Sequence, residues 1–136
     1  MDGFGLKRAL QPCVRFVVDS KRRLVIARFA KRVTVMDIQV YVQNLSAHPN
    51  FDPSFSEIAD LSEVKELPLE GPDFIELADR VDPFSFDSKR AFVARTLEQR
   101  HAARMHKILR SQRNFEIFQT LEEAQEWIAR VDSGRL

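Results

Sequence analysis

The sequence predicts an α/β fold: a single mixed, largely parallel five-stranded sheet covered by helices, in the order ββαβαβαβα. Three observations predict it. Short segments rich in β-branched and aromatic residues recur along the chain. Stripes of helical period lie between them. At three places where a stripe begins, a threonine stands three residues before an acid or amide, which is capping-box spacing or close to it.

The elements follow in order. "VRFVVD" (14–19) and "RLVIARF" (23–29) read as two antiparallel strands joined by a short polar turn. From Thr34 the period changes, and Val35, Ile38, Val42 and Leu45 form the stripe of a first helix that stops at His48-Pro49. "SEIADL" (56–61) is a third strand. The stretch "DLSEVKELPLEGPDF" (60–74) leads from it through a polar bend into a second helix, which Gly71-Pro72 starts, since proline at the first helical position loses no hydrogen bond. Phe74, Leu77, Ala78 and Val81 are its stripe. After "VDPFSFD" come strand four, "RAFVA" (90–94), and a basic helix from about Leu97 to Arg110, with Met105, Ile108 and Leu109 turned inward. "FEIF" (115–118) is strand five, Leu121, Ala124, Ile128 and Val131 mark the last helix, and the tail "DSGRL" frays. Strands separated by helices need crossovers, so strands two to five are expected to run parallel with right-handed connections. Thr34, Thr96 and Thr120 are accounted for as helix caps.

The 136 residues, 44% apolar and 30% charged, suit one domain spanning 1–136 with a core over about 14–130. No apolar run approaches the roughly 20 residues of a membrane span. The start "MDGFGLKRALQP" lacks the apolar centre of a secretory leader, and Cys13 has no partner cysteine, so a cytoplasmic setting is expected. Charge is uneven along the chain. Residues 57–82 hold nine acids and two bases, a net −7, while residues 89–113 hold eight bases and one acid, a net +7. Such blocks either satisfy one another or steer a partner.

With these elements placed, the chain resembles the SpoIIAA-like, or STAS-like, superfamily over about residues 14–130. The passages that carry the resemblance are "RLVIARFAKRVTVMDIQVYVQNL", "HPNFDPSFSEIADLSEV", "KRAFVART" and "ARMHKILRSQRNFEIFQTLEEAQEWI". It implies a mixed sheet wound with helices as a (βα) superhelix, in a group that includes anti-sigma-factor antagonists, cytoplasmic domains of anion transporters and, more distantly, lipid-carrying folds. In the phospho-switched antagonists a "DLSxV" motif precedes a serine at the start of the second helix, where phosphate adds negative charge facing a partner. Asp60-Leu61-Ser62-Glu63-Val64 matches the motif, but Pro68-Leu69-Glu70-Gly71 offers no hydroxyl. The resemblance therefore implies a branch without the phosphoacceptor, in which Ser62 holds a turn and Glu70 compensates the helix dipole or stands in for the phosphate.

The residues exclude several chemistries. His101 and His106 lie about 140° apart around a helix and His48 is in another element, so no metal site is expected. Neither a nucleophile–base constellation nor a phosphate-cradling glycine loop is visible, and neither catalysis nor a cofactor is expected. The stripe Arg100, Arg104 and Lys107 is basic, but a pI of 7.9 and the lack of interleaved aromatics argue against nucleic acid. Anion binding has more support. Lys31 and Arg32 after strand two, Ser62 after strand three, Arg95 after strand four and Arg100 near a helix start fall at the carboxyl ends of the strands, where α/β sheets seat ligands. Phe84 and Phe86 alternate in a polar loop, either as inward plugs or as an interface or pocket lining. The expectation is a non-catalytic interaction domain with a protein partner, including a second copy in a homodimer. The alternative is a binder of a small anionic or amphiphilic ligand near the rim or under the Phe84/Phe86 loop.

Overall fold

The computed structural model describes residues 12–130. The reading of the amino terminus, Val131 in the last stripe and the tail lie outside the described residues. Strands β1 (Val14–Asp19) and β2 (Leu24–Phe29) form the hairpin. Asp19 closes its turn by accepting from the Arg22 amide at 3.1 Å, and Arg23 takes a left-handed conformation, φ 53°.

Helix α1 (Val35–Ser46), strand β3 (Ser56–Asp60), helix α2 (Gly71–Glu76), strand β4 (Arg90–Val93), helix α3 (Leu97–Arg110), strand β5 (Phe115–Phe118) and helix α4 (Leu121–Ala129) follow. The strands lie side by side in chain order, β1–β2 antiparallel and every other pair parallel. The three threonines cap as their spacing predicts: Thr34, Thr96 and Thr120 accept from the amides of Asp37, Gln99 and Glu123, whose side chains reach back to the threonine amides. The second helix is less regular than its stripe implies. It is α-helical to Glu76 and continues as a π-helical turn, Leu77–Val81, closed by the Asp82 amide donating to the Leu77 carbonyl at 2.9 Å.

Strand register decides what each face holds. Val25, Glu57, Arg90 and Phe115 form one row across four strands, and Ala27, Ala59, Phe92 and Ile117 form the next row on the same face. This face packs against Tyr41 and Leu45 of α1, Phe84 and Ala103 of α3. The opposite face carries Leu24, Ile58, Ala91 and Val93, packed against Ala124 with Trp127 and Ile128 of α4.

Candidate functional site

The row that contains Glu57 and Arg90 is the centre of the site. Period 2 turns both into the core with Ala59 and Phe92, and both residues are 3% exposed. Buried charge persists only when paired and hydrogen-bonded. Arg90 donates to Glu57 Oε1 through Nη2 at 2.8 Å and Nε at 2.9 Å. Through Nη1 it donates to Asp82 Oδ2 at 3.0 Å and Gln112 Oε1 at 3.1 Å. The Tyr41 hydroxyl donates to Glu57 Oε2 at 2.7 Å. Asp82, whose side chain is 2% exposed, also lies 2.6 Å from His106 Nε2 and 3.8 Å from Arg110 Nε.

Each end of the cluster is tied to backbone. Asp82 Oδ1 accepts from the Phe84 amide at 2.9 Å. Arg110 donates to the carbonyls of Ala78 and Phe84, while Gln112 Nε2 donates to those of Ser85, Phe86 and Ser88. The loop before β4 is thus held from inside. Burial opposes ionisation of Asp82, but Arg90, His106 and the Phe84 amide outweigh it and hold the carboxyl well below the usual range. Burial likewise works against the Arg90 cation, yet Glu57 and Asp82 more than compensate and raise its pKa further. Burial, then the Glu57 charge, push the Tyr41 phenol well above its ordinary value.

An apolar cavity of about 90 Å³ lies over this cluster. Its floor is the sheet face with Glu57, Ala59 and Arg90; Ile38 and Tyr41 of α1 form one wall, and Phe74, Leu77 and Val81 form the roof. Leu67, Leu69, Phe74 and Ala102 line both this cavity and an outer groove between the start of α2 and α3, which also holds Gly71, Leu97, His101 and Met105. The two spaces therefore share a wall.

The residues expected at the rim occupy the carboxyl edge of the sheet. The Lys31 carbonyl accepts from the amides of Lys65 and Glu66, and Arg32 pairs with Glu66 at 3.4 Å, both side chains exposed. Gln99, 3% exposed, joins the next two segments: its Oε1 accepts from the Arg95 amide at 2.7 Å, and its Nε2 donates to the carbonyls of Ser62 at 3.4 Å and Val64 at 2.8 Å. The Ser62 amide donates to Asp60 Oδ1 at 3.0 Å, fixing the turn after β3. Arg100 turns away to a shallow depression shared with Arg104, Gln119 and Glu123. Among the described residues, no group of three or more His, Cys, Asp or Glu side chains is placed to hold a metal ion, and no helix is long and apolar enough to cross a membrane.

Two sequence expectations need correction. Ile108, read as inward, is 69% exposed, and α3 instead buries Gln99, Ala102, Ala103 and Arg110. Its inner face is set by small residues and paired polar groups rather than by large aliphatics. Phe84 and Phe86 do not share one fate. Phe84 is 2% exposed and lines the cavity with the Arg90 guanidinium 4.4 Å from its centroid; Phe86 is 56% exposed beneath Arg110, also at 4.4 Å.

Neither a protein-family model nor a curated protein matches the chain. Among solved structures it is similar to an uncharacterised protein of the DUF3478 family from Shewanella loihica PV-4, whose crystal structure has a SpoIIAA-like fold. The TM-score is 0.60 with 16% identity, over 85% of this chain and 94% of that one. The likeness shows the fold: this chain has the SpoIIAA-like, STAS-like architecture that its sequence resembles.

Proposed function

We propose that the chain is a non-catalytic, cytoplasmic regulatory domain that docks a protein partner in the outer groove between the start of α2 and α3. The observation that carries this reading is Leu97. It is 85% exposed at the first position of α3, in a groove whose other apolar walls are Leu67, Leu69, Phe74 and Met105. A large aliphatic held open beside other apolar side chains gains free energy when a partner covers it.

The position within the fold agrees with the reading. Gly71 lines the same groove, next to the place where the resemblance puts the phosphoacceptor of the switched antagonists. Here Glu70 precedes α2, and its amide donates to Asp73 Oδ2 at 2.9 Å. The surface beside the groove carries a fixed negative charge where those relatives carry a conditional one. Glu98 and His101 are the polar residues that line the groove.

The test is affinity capture from the protein's own cells with the full chain, wild type against Leu97→Lys. A partner retained by the wild type and lost by the variant, with unchanged melting temperature, is the expected result. Identical recoveries from the two proteins would overturn the proposal. Native mass spectrometry of the recovered complex separates a different protein from a second copy.

A further inference from the structure

The cavity behind that groove has features that a simple packing defect lacks. A dry apolar cavity of about 150 Å³ binds benzene; this one, about 90 Å³, is smaller but only partly enclosed, and Leu67, Leu69, Phe74 and Ala102 form the wall between it and the groove. A guest is therefore not confined to the inner volume.

The floor restricts what the guest can be. Glu57, Asp82, Arg90 and His106 line the cavity, with Arg110 facing Asp82 from behind at 3.8 Å, so two carboxylates already meet two guanidiniums and an imidazole. A further ion placed on this floor would be buried among charges that are already paired with one another, which is unfavourable. Only a neutral guest suits it. Tyr41 spends its proton on Glu57 Oε2, so its oxygen retains lone-pair capacity and accepts.

The roof completes the description. The α-helical part, Gly71–Glu76, contains no buried residue, whereas the π-helical turn behind it buries Leu77 and Ala78 and is held by Arg110 through the Ala78 carbonyl. The end of the roof over the groove is thus lightly held and the end over the ion cluster is anchored. π-Helical turns of this kind recur at functional sites.

From these features we infer that the cavity is a binding site for a small neutral molecule: one ring, or an apolar group of that size, bearing a single O–H or N–H donor directed at Tyr41. The inference does not rest on the reading that a protein docks in the groove.

Phenol and benzene are the probes, titrated into the full chain and followed by amide chemical-shift changes in NMR spectra. Saturable binding of both is expected, with phenol favoured by about fivefold, the yield of one net hydrogen bond. Tyr41→Phe removes that preference while benzene still binds. Ala102→Leu, which takes up volume at the cavity wall, weakens both probes by about tenfold, as overfilling a packed site does. Leu69→Trp fills the same cavity from the loop side and covers the case in which Ala102→Leu fails to fold. Absence of saturable binding to the wild type, equal affinity for the two probes, or binding undiminished in a folded variant of the cavity wall would each overturn the inference.

Discussion

The two faces of the sheet solve the same problem differently. On the α4 face, Leu24, Ile58, Ala91 and Val93 meet Ala124, and a buried acid, Asp60, sits at the strand end 3.9 Å from an exposed Arg28. On the other face, one row of four residues spends two positions on an acid and a base. Carboxylates and guanidiniums then recruit Asp82, His106, Arg110, Gln112 and Tyr41 from four further segments. The first face is held mainly by apolar contact, which is non-directional. The second holds a loop, a π-helical roof and an open cavity in one arrangement, because each polar group must find its partner or lose free energy. The pattern teaches that a buried ion cluster can fix a loop and a helical turn that apolar contact alone would leave free to shift.

The strongest way to break this contrast is Arg90→Met, which is close in length but removes the charge that Glu57 and Asp82 share. Breaking a buried pair from one side costs about 3–5 kcal/mol, so urea denaturation is expected to show a loss of that size. On the plain face, Ile58→Ala removes apolar volume and costs about 3 kcal/mol. The two losses differ in kind. That of Arg90→Met declines under acid conditions that neutralise the stranded carboxylates, whereas that of Ile58→Ala does not depend on pH.

Much of this architecture was legible in the chain. Strand and helix order followed from period, and the caps at Thr34, Thr96 and Thr120 followed from spacing. The ion cluster was not read, because patterning assumes that charge faces water. A signal was present: in "SEIADL" and "RAFVA" the acid and the base share the period-2 face of Ala59 and Phe92 in a sheet expected to be covered by helices, and they belong to the oppositely charged blocks. Asp82 and Arg110 were harder to find. Their role depends on a loop and a helix end meeting across 28 residues, and such a meeting leaves no periodic trace. For the same reason the basic stripe Arg100, Arg104 and Lys107 points to Ile108 as inward, whereas Arg110, two positions on, takes the buried place.

A smaller effect sharpens the contrast through pH. The carboxyl of Asp82 is held below its ordinary range by Arg90, His106 and the Phe84 amide, with Arg110 also facing it. The folded state therefore binds this proton less readily than the unfolded chain. The contribution is fully present above the unfolded value of about 4 and is lost as pH falls through the lower folded value. Asp82→Asn is expected to cost about 2 kcal/mol at neutral pH, the scale of hydrogen bonds to a charged group. Denaturation curves at a series of pH values should show the gap between wild type and variant closing as the medium is acidified below about 4. A gap that stays constant would mean that Asp82 acts through shape alone.

The smallest effect compares two caps of the same design. Thr96 and Thr120 each begin a helix with a reciprocal box, and replacing either with alanine should cost about 1 kcal/mol. Their partners differ. Glu123 is exposed and serves only its own helix start, whereas Gln99 is buried and also binds the carbonyls of Ser62 and Val64. Freeing Gln99 from the Thr96 cap should therefore loosen the turn after β3, where the amides of Lys65 and Glu66 both donate to the Lys31 carbonyl. Amide hydrogen exchange reads this directly. Thr96→Ala should speed exchange at Lys65 and Glu66 while Thr120→Ala leaves them unchanged, and equal exchange in the two variants would show that Gln99 holds the edge without help from its cap.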